Sequence, residues 1–239
     1  MSGGGGGREQ LLLELGHPTA YRAEDFLEAP GNARALAWLR RWPDGWPGPA
    51  LVLCGPAGCG KTHLARIWAE RAGALWIEGP ALTASADPHR LLGDVVRAAV
   101  VDDADRAGDE AALLHLYNLV VQERRGHLLL TARAPVRAWP IGLPDLRSRL
   151  RAAPAVAIEP PDDALLGAVL VKLFADRQLR VAREVVEYLT SRMERSFAAA
   201  GRVVAELDAA ALRGRRAVTL PLAREVVGRL FEEDTTGGG

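Results

Sequence analysis

The chain has 239 residues, of which 49% are hydrophobic, and 30 basic residues balance 30 acidic ones to a formal net charge of zero. That size and composition hold a large domain, or a core domain with a smaller second one. They argue against a protein whose main task is gripping nucleic acid by its phosphates, and no run of about eighteen apolar residues is present for a membrane span.

Met1 to Glu9 reads as a flexible glycine-rich tail without the apolar core of a signal peptide, and a short apolar burst from Gln10 to Leu15 follows. Residues 16–31 are loop-like, and 32–41 read as a helix ended by Pro43. Strands and helices then alternate. Residues 49–54 read as a buried strand, 62–71 as a helix, and 74–78 and 98–103 as strands. Residues 109–124 read as one helix with Leu113, Leu116, Tyr117 and Val120 on a face, then 127–131 and 156–158 as the last strands. Such alternation predicts an α/β fold, a five-stranded parallel sheet with helices on both faces. Pro160-Pro161 marks a boundary, and the helical periodicity beyond it predicts helices over 162–175, 182–192, 196–213 and 221–231. The expected organisation is a tail (1–9), a peptide (10–15), an α/β core (20–160), a small all-helical lid (161–231) and a second tail (232–239).

The chemistry concentrates at Gly55-Pro56-Ala57-Gly58-Cys59-Gly60-Lys61-Thr62, which fits G-x-x-x-x-G-K-[ST] without a mismatch. Small residues let successive backbone N–H groups turn inward around an oxyanion, and the helix that follows adds its positive end. Lys61, one of two lysines in the chain, would reach the β- and γ-phosphates of ATP or ADP, and the Thr62 hydroxyl would sit on Mg²⁺. The only two cysteines, Cys54 and Cys59, lie at this loop and read as reduced thiols of a cytoplasmic protein.

Asp102 and Asp103 end the third strand. Asp102 is expected to hold Mg²⁺, and Asp103 to orient or activate the attacking water. Thr131 ends the next strand, at the carboxyl edge of the sheet between the two other site elements, where its hydroxyl would meet the γ-phosphate or the water. Leu146-Arg147-Ser148-Arg149-Leu150-Arg151 stands open between a solvated helix end and an arginine finger that enters a neighbour's site. Arg195, at the start of a lid helix, stands open between a surface charge and a group that reports nucleotide state to the lid. Leu11, Leu13 and Leu15 alternate, so an extended Gln10–Leu15 would present one apolar face, either to the domain itself or to a partner's surface.

Together, residues 55–64, 100–105, 128–133 and 146–150 resemble the motifs of AAA+ ATPases, within them the DnaA-related group; His63-Leu64 and the Asp-Asp pair point to that group. The resemblance covers residues 20–231 and is nearest to the Hda proteins, regulatory inactivators of DnaA. It implies a clamp-binding peptide at Gln10–Leu15, with Gln10, Leu11, Leu13 and Leu15 meeting the DNA polymerase sliding clamp. It implies that Arg149 is the arginine finger, Thr131 sensor 1 and Arg195 sensor 2, that His63 lies with the nucleotide-binding residues, and that Phe26 and Asn32 begin the segment near the adenine. DnaA carries a helix-turn-helix domain after its lid, whereas this sequence stops near Phe231, so an initiator is not expected. The expected role is instead to stimulate ATP hydrolysis by DnaA in trans, in the cytoplasm and at the clamp. The competing readings are a helicase-loader-type ATPase and a P-loop kinase of a small molecule. The tail peptide favours the first over the loader, and the helical lid with Arg149 disfavours the kinase.

Overall fold

The computed structural model describes residues 26–84, 87–93 and 96–236. Gln10, Leu11, Leu13 and Leu15 therefore lie outside the described residues. Five parallel strands form one sheet: β1 (Ala50–Cys54), β2 (Leu75–Glu78), β3 (Ala98–Asp102), β4 (His127–Ala132) and β5 (Ala155–Ala157), in the order β2-β3-β4-β1-β5. β1 and β3 are buried along their whole length, as central strands covered on both faces must be. Side chains alternate between those faces. Val52, Val101 and Leu130 pack on one side with α4 (Glu110–Tyr117) and α5 (Pro144–Ala152). Leu51, Leu53, Val100 and Leu129 pack on the other with α1 (Pro30–Arg40) and α2 (Lys61–Ala72). A short α3 (Pro88–Leu92) lies between β2 and β3 in the chain.

The order of the strands builds the site. β4 lies between β1 and β3, with Leu53 opposite Thr131 and Val101 opposite Leu130. The carboxyl ends of these three neighbours therefore carry Gly55–Thr62, Thr131 and Asp102 side by side, the usual place for a ligand in an open α/β sheet.

The remaining helices, α6 (Asp163–Asp176), α7 (Arg183–Arg192), α8 (Phe197–Gly214) and α9 (Leu220–Thr236), enclose a separate apolar core that includes Leu166, Leu170, Phe174, Leu189, Leu207 and Leu222. The Asp162 carboxylate caps α6 by accepting from the Leu165 N–H at 2.8 Å, and the Ser196 hydroxyl caps α8 by accepting from the Ala199 N–H at 3.0 Å.

Several sequence expectations are corrected. The helix expected over 109–124 is α-helical only to Tyr117 and continues as a π-helix over Asn118–Glu123. Asp103 leaves the strand, with φ 53°, a left-handed conformation that aspartate tolerates. The last strand is shifted by one residue, to Ala155–Ala157. Helix α9 runs through the expected tail to Thr236, because residues 232–236 contain no glycine or proline to stop it.

Candidate nucleotide site and comparison with known proteins

The phosphate loop joins β1 to α2. Gly58 (φ 72°) and Gly60 (φ 100°) both adopt left-handed backbone conformations, which explains glycine at these positions. Among the described residues, the N–H groups of Gly58, Gly60 and Thr62 have no hydrogen-bond acceptor. Unpaired donors at a helix N-terminus suit a phosphate. Lys61 is 5% exposed. Its ammonium donates to the carbonyl oxygens of Gly55 and Pro56 at 2.8 Å each and lies 3.9 Å from the Cys59 sulfur. Burial pushes both the Cys54 and Cys59 thiols up, so they are neutral neighbours of this cation.

Thr62, Asp102 and Thr131 form one cluster. The Thr62 hydroxyl donates to the Asp102 carboxylate at 3.0 Å. The Thr131 hydroxyl donates to the same carboxylate at 2.5 Å and accepts the Asp103 N–H at 2.9 Å. Thr131 is fully buried, and its hydroxyl ties the Asp102 carboxylate to the Asp103 backbone. Burial raises the Asp102 carboxyl above the usual carboxylate range, against the hydrogen bonds from Thr131 and Thr62. Among the described residues no three His, Cys, Asp or Glu side chains converge on a metal position. A hydroxyl and one carboxylate are the donors of a site that leaves its other positions to phosphate oxygens and water, which fits Mg²⁺ at Thr62 and Asp102.

The Asp103 carboxylate turns away from this cluster. It lies 3.4 Å from the Arg133 guanidinium and 3.6 Å from that of Arg106. The sequence reading missed both arginines. Arg106 stands three residues after Asp103 and could have been suspected from that spacing; Arg133 is brought in only by the sheet.

The lid closes on the loop directly. The Phe197 N–H donates to the Gly58 carbonyl at 2.8 Å, and His63 meets Phe26 edge-on with ring centroids 5.4 Å apart. Asn32 is buried beside the same region, where its side-chain oxygen accepts the Ala29 N–H at 2.9 Å. Arg195 precedes α8 rather than beginning it, because Ser196 is the capping residue. Its guanidinium lies 3.0 Å from the Asp163 carboxylate and lines a cleft of about 520 Å³ with Pro56, Ala57 and Glu194. A larger groove, about 1020 Å³, lies between α6 and α7 and involves none of the loop residues.

Arg149 lies on α5 and makes no hydrogen bond or ion pair with Lys61, Thr62, Asp102 or Thr131. Leu146 and Leu150 bury one face of the helix. On its flank Arg149 grips Asp145 through two hydrogen bonds of 3.1 Å and sits 5.8 Å from the Tyr117 ring centroid. Arg147 is tied to the Ile141 carbonyl at 3.3 Å, and Arg151 is exposed. The loop leading into α5 is anchored by Glu110, whose carboxylate accepts the Gly142 and Leu143 N–H groups at 2.9 and 2.7 Å.

Residues 163–227 match the family model described as Hda, lid domain. Domain III of the Thermotoga maritima replication initiation protein DnaA superposes with a TM-score of 0.75 at 17% identity, covering 87% of this chain and 96% of that one. The Thermotoga maritima RuvB Holliday junction branch migration motor gives 0.69 at 18% identity, covering 88% and 72%. A replication initiator DnaA bound to AMPPCP and single-stranded DNA gives 0.64 at 17% identity, covering 82% and 68%. At these identities the likeness to solved structures is one of fold. The chain therefore joins a core with the fold of DnaA domain III to a helical domain, residues 163–227, that matches the Hda lid model.

Proposed function

We propose that this chain is a negative regulator of replication initiation that holds adenine nucleotide with Mg²⁺, docks on the sliding clamp through Gln10–Leu15, and stimulates ATP hydrolysis by DnaA in trans. The observation that carries the reading is the Hda-type lid at residues 163–227, joined to an intact Gly55–Thr62 loop beside Asp102. The loop's unpaired N–H groups and Lys61 would bind the phosphates, and Thr62 and Asp102 would hold the cation. Arg149 stands apart from these groups. A guanidinium on such a surface serves a site on a neighbouring protein, where it neutralises charge that develops on the transferred phosphoryl group.

Asp103 supports a division of labour between the two proteins. Paired with Arg106 and Arg133, its carboxylate is poorly placed to activate a water over the chain's own nucleotide. Hydrolysis is then the partner's reaction, and this chain's nucleotide serves to shape the surface that meets DnaA. A clamp pull-down tests the docking step: deletion of residues 1–16 abolishes clamp binding and leaves ADP affinity intact. Undiminished clamp capture by the truncated chain removes the regulator reading and raises the helicase-loader one.

A further inference from the structure

A third cavity, about 500 Å³, opens at the end of the sheet opposite the phosphate loop. Its volume falls within the range of about 300–1,000 Å³ seen for small-ligand sites. Trp42 comes to it from the loop after α1, Arg97 from the entry to β3, and Arg125 and His127 from the entry to β4. Five-residue strands such as β1 and β3 span roughly 17 Å, so this place is separate from the nucleotide site.

Among the described residues its charge is mostly positive. Arg97 and Arg125 are exposed, and neither guanidinium has a hydrogen bond or ion pair among the described residues. Arg71 adds a third guanidinium at the rim, donating to the Trp42 carbonyl at 2.9 Å with its charge centre 5.9 Å from the Trp42 ring. Asp44 is the acid whose charge reaches the neighbouring His127. In a chain of zero net charge, this is a local surplus rather than a general one.

The backbone segments that carry these two arginines are fixed in relation to one another. The His127 N–H donates to the Arg97 carbonyl at 2.9 Å, and a side chain at Gly126 would collide with that carbonyl, so the entries to β3 and β4 run backbone against backbone. Arg125 is held in a left-handed conformation, φ 50°, between them. Between the charges lies aromatic surface. Trp42 and His127 are both partly exposed and meet at 80° with centroids 5.7 Å apart, backed by Trp46 stacked on Trp68 at 5.0 Å. Burial lowers the His127 imidazole below its ordinary range more than Asp44 raises it, so at neutral pH it offers a ring and not a charge.

We propose that this cavity is a binding site for single-stranded nucleic acid, in which Arg97 and Arg125 take backbone phosphates and Trp42 with His127 takes an unstacked base. Stacking surface flanked by cations is what a single strand requires. A duplex keeps its base faces covered, and an acidic peptide would use the arginines alone.

The test titrates fluorescein-labelled oligo(dT) into the full chain by anisotropy across a salt series. Binding is expected. The Arg97→Ala/Arg125→Ala variant should bind at least about tenfold more weakly, with a salt slope smaller by about 1.4, since each single-strand phosphate contact contributes about 0.7. Trp42→Leu should lose about fivefold or more at an unchanged slope, because it removes stacking and not charge. The arginine variant is a surface change, whereas Trp42 also packs against Trp68 with ring centroids 5.7 Å apart, so circular dichroism and a thermal melt check that Trp42→Leu is folded before its affinity is read, and Lys61→Ala should leave oligo(dT) affinity unaltered. Four results overturn the proposal: no binding, undiminished binding by the double arginine variant, displacement of oligo(dT) by ADP, or equal affinity for polyglutamate.

Discussion

The two bonds that Lys61 makes to the Gly55 and Pro56 carbonyls are ones that an arriving phosphate would replace, and the carbonyls can return to water when the lysine is absent. Lys61→Ala should therefore fold normally and lose about 100-fold or more in ADP affinity, on the scale of one or two charged hydrogen bonds. Calorimetry reads this directly, and an unchanged affinity contradicts the assignment of the loop. Asp102 makes the opposite trade. Its folded pKa is raised by burial. Between its unfolded and folded values the native state therefore holds more protons than the unfolded one, and stability from this group falls as pH rises through that window. Above it, the buried carboxylate is a standing cost. Asp102→Asn should raise the thermal midpoint of the nucleotide-free protein at neutral pH, the gain should vanish below the ordinary aspartate range, and Mg²⁺-dependent nucleotide binding should fall. A variant no more stable than the parent at pH 7 would remove the desolvation account.

Among the elements, the strands and lid helices were legible because their apolar periodicities are long and uninterrupted: β1, β3 and β4 as continuous runs, α6 to α9 at helical spacing. The segment between β2 and β3 was not. Gly79, Pro80, Pro88 and Gly93 break any pattern there, and α3 holds only five residues behind its Asp87 cap. The site residues were legible by type but not by orientation. That Asp103 turns out of line toward Arg133 depends on a backbone angle and on strand order, neither of which spacing records. Docking of the lid on the loop was equally hidden. Gly58 combines φ 72° with a position where a side-chain carbon would stand 2.5 Å from the Ser196 Cβ, and its carbonyl accepts the Phe197 N–H. Gly58→Ala should cost about 1–2 kcal/mol from the left-handed backbone alone, and more from the clash at the start of α8. Thermal melts with and without ADP check this, and a full ADP-induced shift in the variant would separate lid docking from nucleotide binding.

At the scale of the whole molecule, the strand order gathers Lys61, Thr62, Asp102 and Thr131 at one end of the sheet, the lid covers that end, and α5 carries Arg149 on a flank of the core. The Arg149–Asp145 pair leaves Arg149 available for the proposed role in trans. Asp145 is 58% exposed, and pairs of this kind contribute about 0–1 kcal/mol, so exchanging Asp145 for a phosphoryl oxygen of a neighbour is inexpensive. An arginine supplied in trans can change a hydrolysis rate by about 10³–10⁵. Turnover of DnaA-bound ATP, with the clamp loaded on DNA and each of Arg149→Ala, Arg147→Ala and Arg151→Ala compared with the parent chain, is the most direct test. The account predicts that the parent and the Arg147 and Arg151 variants stimulate hydrolysis, while the Arg149 variant binds nucleotide and clamp but stimulates at least about 10³-fold less. Full stimulation by Arg149→Ala, or none by the parent chain, would contradict it.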